Sequence, residues 1–90
     1  MARYVIERTL PGAGNLSPAE LHDVSSKSND VLAGLGEDIS WVQSYVTDDK
    51  LYCVYDATDP ELIKQHAEQG GFPCDSVSEV KSVINPETGR

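Results

Sequence analysis

The stretch that decides the fold is ISWVQSYVTDDKLYCVYDA, residues Ile39 to Ala57. Two runs rich in β-branched and aromatic residues flank the polar turn Thr47-Asp48-Asp49-Lys50, which predicts a β-hairpin with a two-residue loop at Asp48-Asp49. The register follows from that loop, because cross-strand partners share a face of the sheet. It pairs Val46 with Leu51, Tyr45 with Tyr52, Ser44 with Cys53, Gln43 with Val54 and Trp41 with Asp56.

This register divides the side chains of the hairpin between two faces. The first face is small and apolar and suits packing beneath helices; it carries Val42, Ser44, Val46, Leu51, Cys53 and Tyr55. The second face has aromatic rings with polar tips; it carries Trp41, Gln43, Tyr45, Tyr52, Val54 and Asp56. So short a chain offers nothing obvious to cover the second face, which makes it the main functional clue.

The segments on either side of the hairpin complete the order β-α-β-β-α-β. Residues 3–10 and 75–83 alternate as strands, Ser17-Pro18-Ala19-Glu20 is a helix start with a capping box, and Thr58-Asp59-Pro60-Glu61 opens a second helix. Two right-handed crossovers around a hairpin predict a ferredoxin-like α+β fold, with an antiparallel sheet of order 4-1-3-2 and both helices on one face. We assign residues 1–84 to a single domain and residues 85–90 to a polar C-terminal tail.

Composition limits the classes of partner. Fifteen acidic and seven basic residues give a net charge of −8, which repels nucleic acid and anionic membranes and favours cations as ligands. Two cysteines are too few for a disulfide framework, and Met1 leads straight into the first strand without a signal peptide. These features predict a cytoplasmic protein with reduced thiols. A chain of 90 residues has a small hydrophobic core, so association into a homodimer would bury more apolar surface.

Two glutamates are candidates for the open face. The first and last strands are neighbours in the predicted sheet, so Glu7 and Glu79 are expected to point together into the interior of a dimer. Two carboxylates in a partly desolvated cavity raise each other's pKa or bind a cation. The alternative is a hydrogen bond or salt bridge between subunits, with Arg8 or Lys81 as the partner.

The aromatic residues of the open face support two interpretations. Protein interfaces favour Trp and Tyr, so Trp41, Tyr45 and Tyr52, with Gln43, predict a dimer interface. Alternatively, the rings form the wall of a pocket for a flat or apolar ligand. A barrel made of two sheets could use them for both purposes.

Histidines are the candidate metal ligands. His66 lies one turn beyond Leu62 and Ile63 on the second helix, where it could bind Ni²⁺ or, alternatively, cap carbonyl groups near Gly70. His22, beside the apolar stripe of the first helix, is the second candidate. The sequence contains no GxSxG, HExxH, P-loop or CxxC pattern, so no catalytic residue is assigned.

Several segments resemble one family of small bacterial proteins with a domain of unknown function. These segments are YVIERTLPG, WVQSYVTDDKLYCVYDA, DPELIKQHAEQGGFP and DSVSEV, and the resemblance covers about residues 4–83. One branch of the family is described as nickel-binding or nickel-responsive. The resemblance implies a homodimeric ferredoxin-like α+β barrel that binds Ni²⁺, and its pattern is most recognisable at Glu7, Tyr45, Cys53, His66 and Glu79.

The first functional hypothesis is therefore a non-enzymatic cytoplasmic homodimer that binds a divalent transition metal, with Ni²⁺ favoured. The alternative is a small-molecule-binding or cofactor-free enzymatic dimeric barrel, with the ligand in the barrel cavity. A third possibility is a plain interaction module.

Overall fold

The protein has two layers, a β-sheet and a pair of helices packed on one of its faces. The computed structural model describes all 90 residues. The strands are β1 (Ala2–Thr9), β2 (Ile39–Val46), β3 (Lys50–Ala57) and β4 (Ser76–Glu79), and the helices are α1 (Pro18–Leu35) and α2 (Pro60–Gly70). Short 3-10 turns lie at Ala13–Asn15 and, in the exposed tail, at Pro86–Gly89. Neither α-helix is long and apolar enough to cross a membrane.

The sheet confirms the predicted topology. Its strand order is β2-β3-β1-β4, which is the predicted order 4-1-3-2 read from the opposite edge, and every neighbouring pair is antiparallel. The hairpin turn is also where the sequence predicts it, with Val46 opposite Leu51 and Tyr45 opposite Tyr52. The fold is therefore the ferredoxin-like α+β arrangement.

Both helices begin at the residues that the capping patterns predict. Ser17 Oγ accepts a hydrogen bond from the Glu20 backbone N–H at 3.1 Å, and Glu20 Oε1 accepts one from the Ser17 N–H at 3.0 Å. These two bonds form a capping box. Asp59 caps α2 by accepting a hydrogen bond from the Glu61 N–H at 2.9 Å. Each cap satisfies N–H groups that the first turn of a helix leaves without partners.

The core lies between the helices and the covered face of the sheet. Tyr4 and Ile6 of β1 point to this face, and they pack with Ile39, Cys53, Tyr55, Ala57 and Ile63. The alternation of β1 continues to Arg8, which is only 2% exposed. Arg8 is therefore on the opposite face from Glu7, which excludes Arg8 as the salt-bridge partner that the sequence suggested for Glu7.

A β-bulge in β2 contradicts the predicted position of Trp41. Gln43 pairs with Val54 as expected, but the register then shifts and Trp41 pairs with Tyr55 instead of Asp56. Val42 is the extra residue of the bulge. One extra residue turns the side chains that precede it in the strand to the opposite face of the sheet. Trp41 is therefore half-buried under the helices and packs against the core. Its placement on the open face, both in the ligand cavity and in the dimer interface, was wrong.

The expected pairing of Glu7 with Glu79 is also wrong. β4 contains only four residues, and its register places Glu79 opposite Tyr4 and Ser76 opposite Glu7. Glu79 therefore shares the side of the sheet that carries Tyr4, and Glu7 is on the other side. Lys81 Nζ lies 2.7 Å from Glu79 Oε2, in an exposed ion pair.

The end of α2 is closely packed, and we expect a glycine substitution there to be costly. A Cβ at Gly70 would overlap the Phe72 ring, which packs at a tilt against the His66 imidazole with centroids 5.2 Å apart. Gly70→Ala is expected to lower the free energy of unfolding by about 1–3 kcal/mol, because the ring must move out of its contact. Urea denaturation measures the change.

Gly34→Ala is the matched control for that substitution. Gly34 is within α1, and a Cβ there would have no atom within 4 Å. We expect it to raise the free energy of unfolding by roughly 0.5–1 kcal/mol, since alanine loses less backbone entropy than glycine in a helix. Equal effects of the two substitutions would contradict the overlap at Gly70.

Candidate functional site

A cavity lies between α1, the end of α2 and the covered face of the sheet. Its volume is about 310 Å³. α1 contributes Leu21, Val24, Ser25, Lys27 and Ser28; the sheet contributes Arg8, Trp41, Ser44, Val46, Leu51, Cys53 and Tyr55; His66, Gly70, Gly71, Phe72 and Pro73 close one end. Leu10 and Leu16 complete the wall. The cavity is therefore inside one chain and under the helices, whereas the sequence predicts a ligand cavity on the open face.

His66 is a wall residue of this cavity and is not at the surface. It is 1% exposed, and its Nε2 lies 2.9 Å from Ser28 Oγ. The imidazole packs between Tyr55 and Phe72, whose ring centroids are 5.4 Å and 5.2 Å away. Burial, assisted by the nearby Arg8 charge, lowers the pKa of His66 to about 4. The ring is consequently neutral at physiological pH, and its Nδ1 is buried without a hydrogen-bond partner.

Arg8 is a buried cation in the same wall. Its Nη1 donates a hydrogen bond to the Pro73 carbonyl oxygen, while Nη2 is buried without a partner. The guanidinium Cζ lies 6.0 Å from the Tyr55 ring centroid and 5.8 Å from that of Phe72, distances at which cation–π attraction operates. Burial raises the pKa of the Tyr55 hydroxyl, and the Arg8 charge opposes that rise. Tyr55 is therefore a neutral phenol and does not neutralise Arg8.

Three of the residues predicted for the open face do lie together there. Glu7 is opposite Tyr52, and Tyr52 is opposite Tyr45, so the three form a row across the sheet. Tyr45 is 58% exposed, and its hydroxyl oxygen accepts a hydrogen bond from Gln43 Nε2 at 2.7 Å. The Glu7 carboxylate lies 3.5 Å from Lys50 Nζ and accepts a hydrogen bond from the Ser76 hydroxyl at 3.3 Å.

The residues of one chain do not fit a nickel site. No three His, Cys, Asp or Glu side chains lie close enough together to hold a metal ion. His66 is buried beside the Arg8 cation, which would repel Ni²⁺. His22 is exposed on α1, with its Nδ1 3.4 Å from Asp23 Oδ1, and is the imidazole that solvent reaches. The preference for His66 over His22 as a metal ligand therefore finds no support in the structure.

The sequence analysis did not identify the buried polar group that Arg8, Ser28 and His66 form at one end of the cavity, although the sequence contains two indications of it. Ser28 is the polar residue on the apolar stripe of α1, and it is the hydrogen-bond partner of His66. Arg8 continues the inward alternation of Tyr4 and Ile6. The charge of arginine favours an exposed side chain, but the alternation of side chains along β1 directs Arg8 to the covered face of the sheet.

Comparison with known proteins gives two matches. Residues 4–80 match the family described as "Nickel responsive protein SCO4226-like". The crystal structure of SCO4226 from Streptomyces coelicolor A3(2) superimposes with a TM-score of 0.76 and 17% sequence identity, covering 92% of this chain and 100% of that chain. At this identity the structural match shows the fold alone. No curated protein matches the sequence.

Proposed function

Because this chain belongs to the family of nickel-responsive proteins similar to SCO4226, we propose that it is a metal-handling protein that binds Ni²⁺ as a non-enzymatic cytoplasmic homodimer. The family match over residues 4–80 is the observation that carries this proposal, because it covers both helices, strands β2 to β4 and all of β1 except its first two residues. The net charge of −8 is consistent with it, since an acidic surface attracts divalent cations.

One chain offers few ligands for a transition metal. A transition metal is not held tightly by a single imidazole, and no three donor groups of one subunit cluster. His22 lies on α1, in the helix layer and away from the open sheet face, so each subunit carries its own site and water fills the remaining positions. His22, with Asp23 beside it, is the proposed imidazole ligand, because it is exposed and no cation lies against it.

The open sheet face supplies a surface for the second copy. Val5 and Val54 are paired at its centre, and Tyr52 and Tyr45 extend this apolar band towards β2. The Arg3–Asp56 ion pair, with Nε and Oδ1 2.8 Å apart, lies at one end of the band, and the Lys50–Glu7 pair lies at the other. An apolar centre with a charged rim is the usual anatomy of a protein interface.

Nickel titration by calorimetry on tag-free protein tests the metal assignment. We expect His22→Ala to weaken Ni²⁺ binding by roughly tenfold or more, because the substitution removes the accessible imidazole. We expect His66→Gln to bind as wild type does. Wild-type affinity should fall as the pH is lowered, since protons compete with a metal for its ligands.

Two outcomes would contradict this assignment. Absence of Ni²⁺ heat from wild type at millimolar metal would refute metal binding by the protein. Loss of binding in a folded His66→Gln variant, with His22→Ala unaffected, would move the metal into the interior. Circular dichroism of each variant establishes that it is folded.

A further inference from the structure

The cavity under the helices contains a buried cation that no carboxylate contacts. Arg8 is 2% exposed and takes part in none of the ion pairs of the protein. The Pro73 carbonyl oxygen, the Tyr55 and Phe72 rings and the Tyr55 hydroxyl are beside it, and Nη2 has no acceptor. Asp75 is the carboxylate that senses this charge: its pKa is lowered by hydrogen bonds with Thr9 and, to a smaller extent, by Arg8, but it forms no ion pair with Arg8. Burial of a charge that lacks an opposite charge is unfavourable, because the interior replaces little of the hydration it removes. An anion beside Nη2 would supply what is missing.

The charge of the cavity wall is opposite to that of the protein. The chain has 15 acidic and 7 basic residues, yet no aspartate or glutamate lines the cavity. Its two charged wall residues are Arg8 and Lys27, and Lys27 Nζ lies 5.6 Å from the Phe72 ring centroid. A wall from which carboxylates are absent favours a ligand that brings its own negative charge.

His66 offers a second donor beside Arg8. Both residues lie within about 6 Å of the Tyr55 and Phe72 rings, so they occupy the same end of the cavity. When the Ser28 hydroxyl donates to Nε2, the proton of the neutral imidazole is on Nδ1, the atom without a partner. An anion selects this tautomer, because Nδ1–H can then donate to it.

The remaining wall residues indicate the size and polarity of the rest of the ligand. Ten of the nineteen lining residues are hydrophobic, among them Leu21, Val24, Val46 and Leu51. A volume of about 310 Å³ is at the small end of the range of roughly 300–1,000 Å³ for ligand sites. We propose that the cavity binds a small apolar monocarboxylate, with its carboxylate held by Arg8 and the Nδ1–H of His66 and its body against the leucine and valine side chains.

Trp41 gives a direct readout of occupancy. It is the single tryptophan of the chain and lines the cavity, so a ligand there changes its fluorescence. The probes are hexanoate, octanoate and phenylacetate, each compared with the neutral alcohol of the same skeleton: hexanol, octanol and 2-phenylethanol. We expect at least one carboxylate to bind saturably and roughly tenfold or more tighter than its alcohol, because a charge-assisted hydrogen bond is lost in the alcohol.

Substitutions then test whether Arg8 causes the preference for carboxylate over alcohol. Arg8→Met removes the charge with little change of volume and should abolish the preference for carboxylate over alcohol. Arg90→Met, which removes an exposed arginine in the C-terminal tail, is the matched control and should retain it. If Arg8→Met does not fold, the decisive measurement is wild-type thermal unfolding, in which the carboxylate should raise the melting temperature more than its alcohol does.

The outcomes separate this inference from the nickel proposal, because all titrations use metal-free protein in the presence of a chelator. Equal binding of acid and alcohol by wild type would overturn the inference. So would the absence of binding by all three carboxylates at millimolar concentration, or an unchanged preference in a folded Arg8→Met variant.

Discussion

Tyr45→Asp is expected to convert the proposed homodimer into monomers at micromolar protein concentration. Tyr45 is 58% exposed on the open face, in line with Tyr52 and Glu7. An aspartate at this position would put an unpaired charge into the aromatic part of the interface on β2. The expected weakening of association is roughly 2–4 kcal/mol, comparable with the loss of a large aromatic anchor. Sedimentation equilibrium measures the dissociation constant.

The control for this variant adds the same charge elsewhere. Ala33 is exposed on α1, in the layer that covers the opposite face of the sheet. The dimer of Ala33→Asp should therefore have the same dissociation constant as the wild-type dimer. A wild-type protein that sediments as a monomer at micromolar concentration would refute the dimer. Trp41→Asp is unsuitable for this purpose, because Trp41 lies under the helices and its substitution would damage the core.

Acid is expected to destabilise the protein through His66. The folded-state pKa of this residue is about 4, below the usual value of 6.5, so the unfolded chain binds more protons between these two values. The stabilising effect of a neutral buried imidazole is complete above pH 6.5 and is lost as the pH falls towards 4. The expected loss between pH 7 and pH 4 is roughly 3 kcal/mol, a large part of the stability of a small domain.

Urea unfolding of wild type and His66→Gln at several pH values checks this expectation. Carboxylates contribute equally to both proteins, so the difference between their free energies of unfolding isolates His66. That difference should change by roughly 3 kcal/mol between pH 7 and pH 4. His22→Gln alters an exposed side chain and should follow the wild-type curve. A pH-independent difference between wild type and His66→Gln would refute the burial of the imidazole in its neutral form.

The topology was predictable because local signals agree with one another. The Thr47–Lys50 turn, the capping box at Ser17 and Glu20, and the apolar alternation of Tyr4 and Ile6 each indicate the element that the structure contains. Short-range geometry controls all three signals, so one sequence suffices to find them.

The site was less predictable because it depends on how faces are assigned far from the turn. A bulge has no characteristic amino-acid composition, so the sequence does not show that the extra residue at Val42 turns Trp41 to the helix side of the sheet. The four-residue strand β4 has too little alternation to orient Glu79. The burial of His66 depends on Ser28, 38 positions earlier in the chain, and no local pattern reports such a contact.

The bulge at Val42 also bears on how the protein avoids aggregation. β2 is an edge strand, and a regular edge strand presents a row of free N–H and C=O groups that can template the addition of further chains. The extra residue breaks that row into two segments whose groups are out of step. A neighbouring chain can therefore not form a continuous ladder along the edge. Growth of fibrils by edge-to-edge addition is opposed, while contact through the flat face of the sheet is not affected.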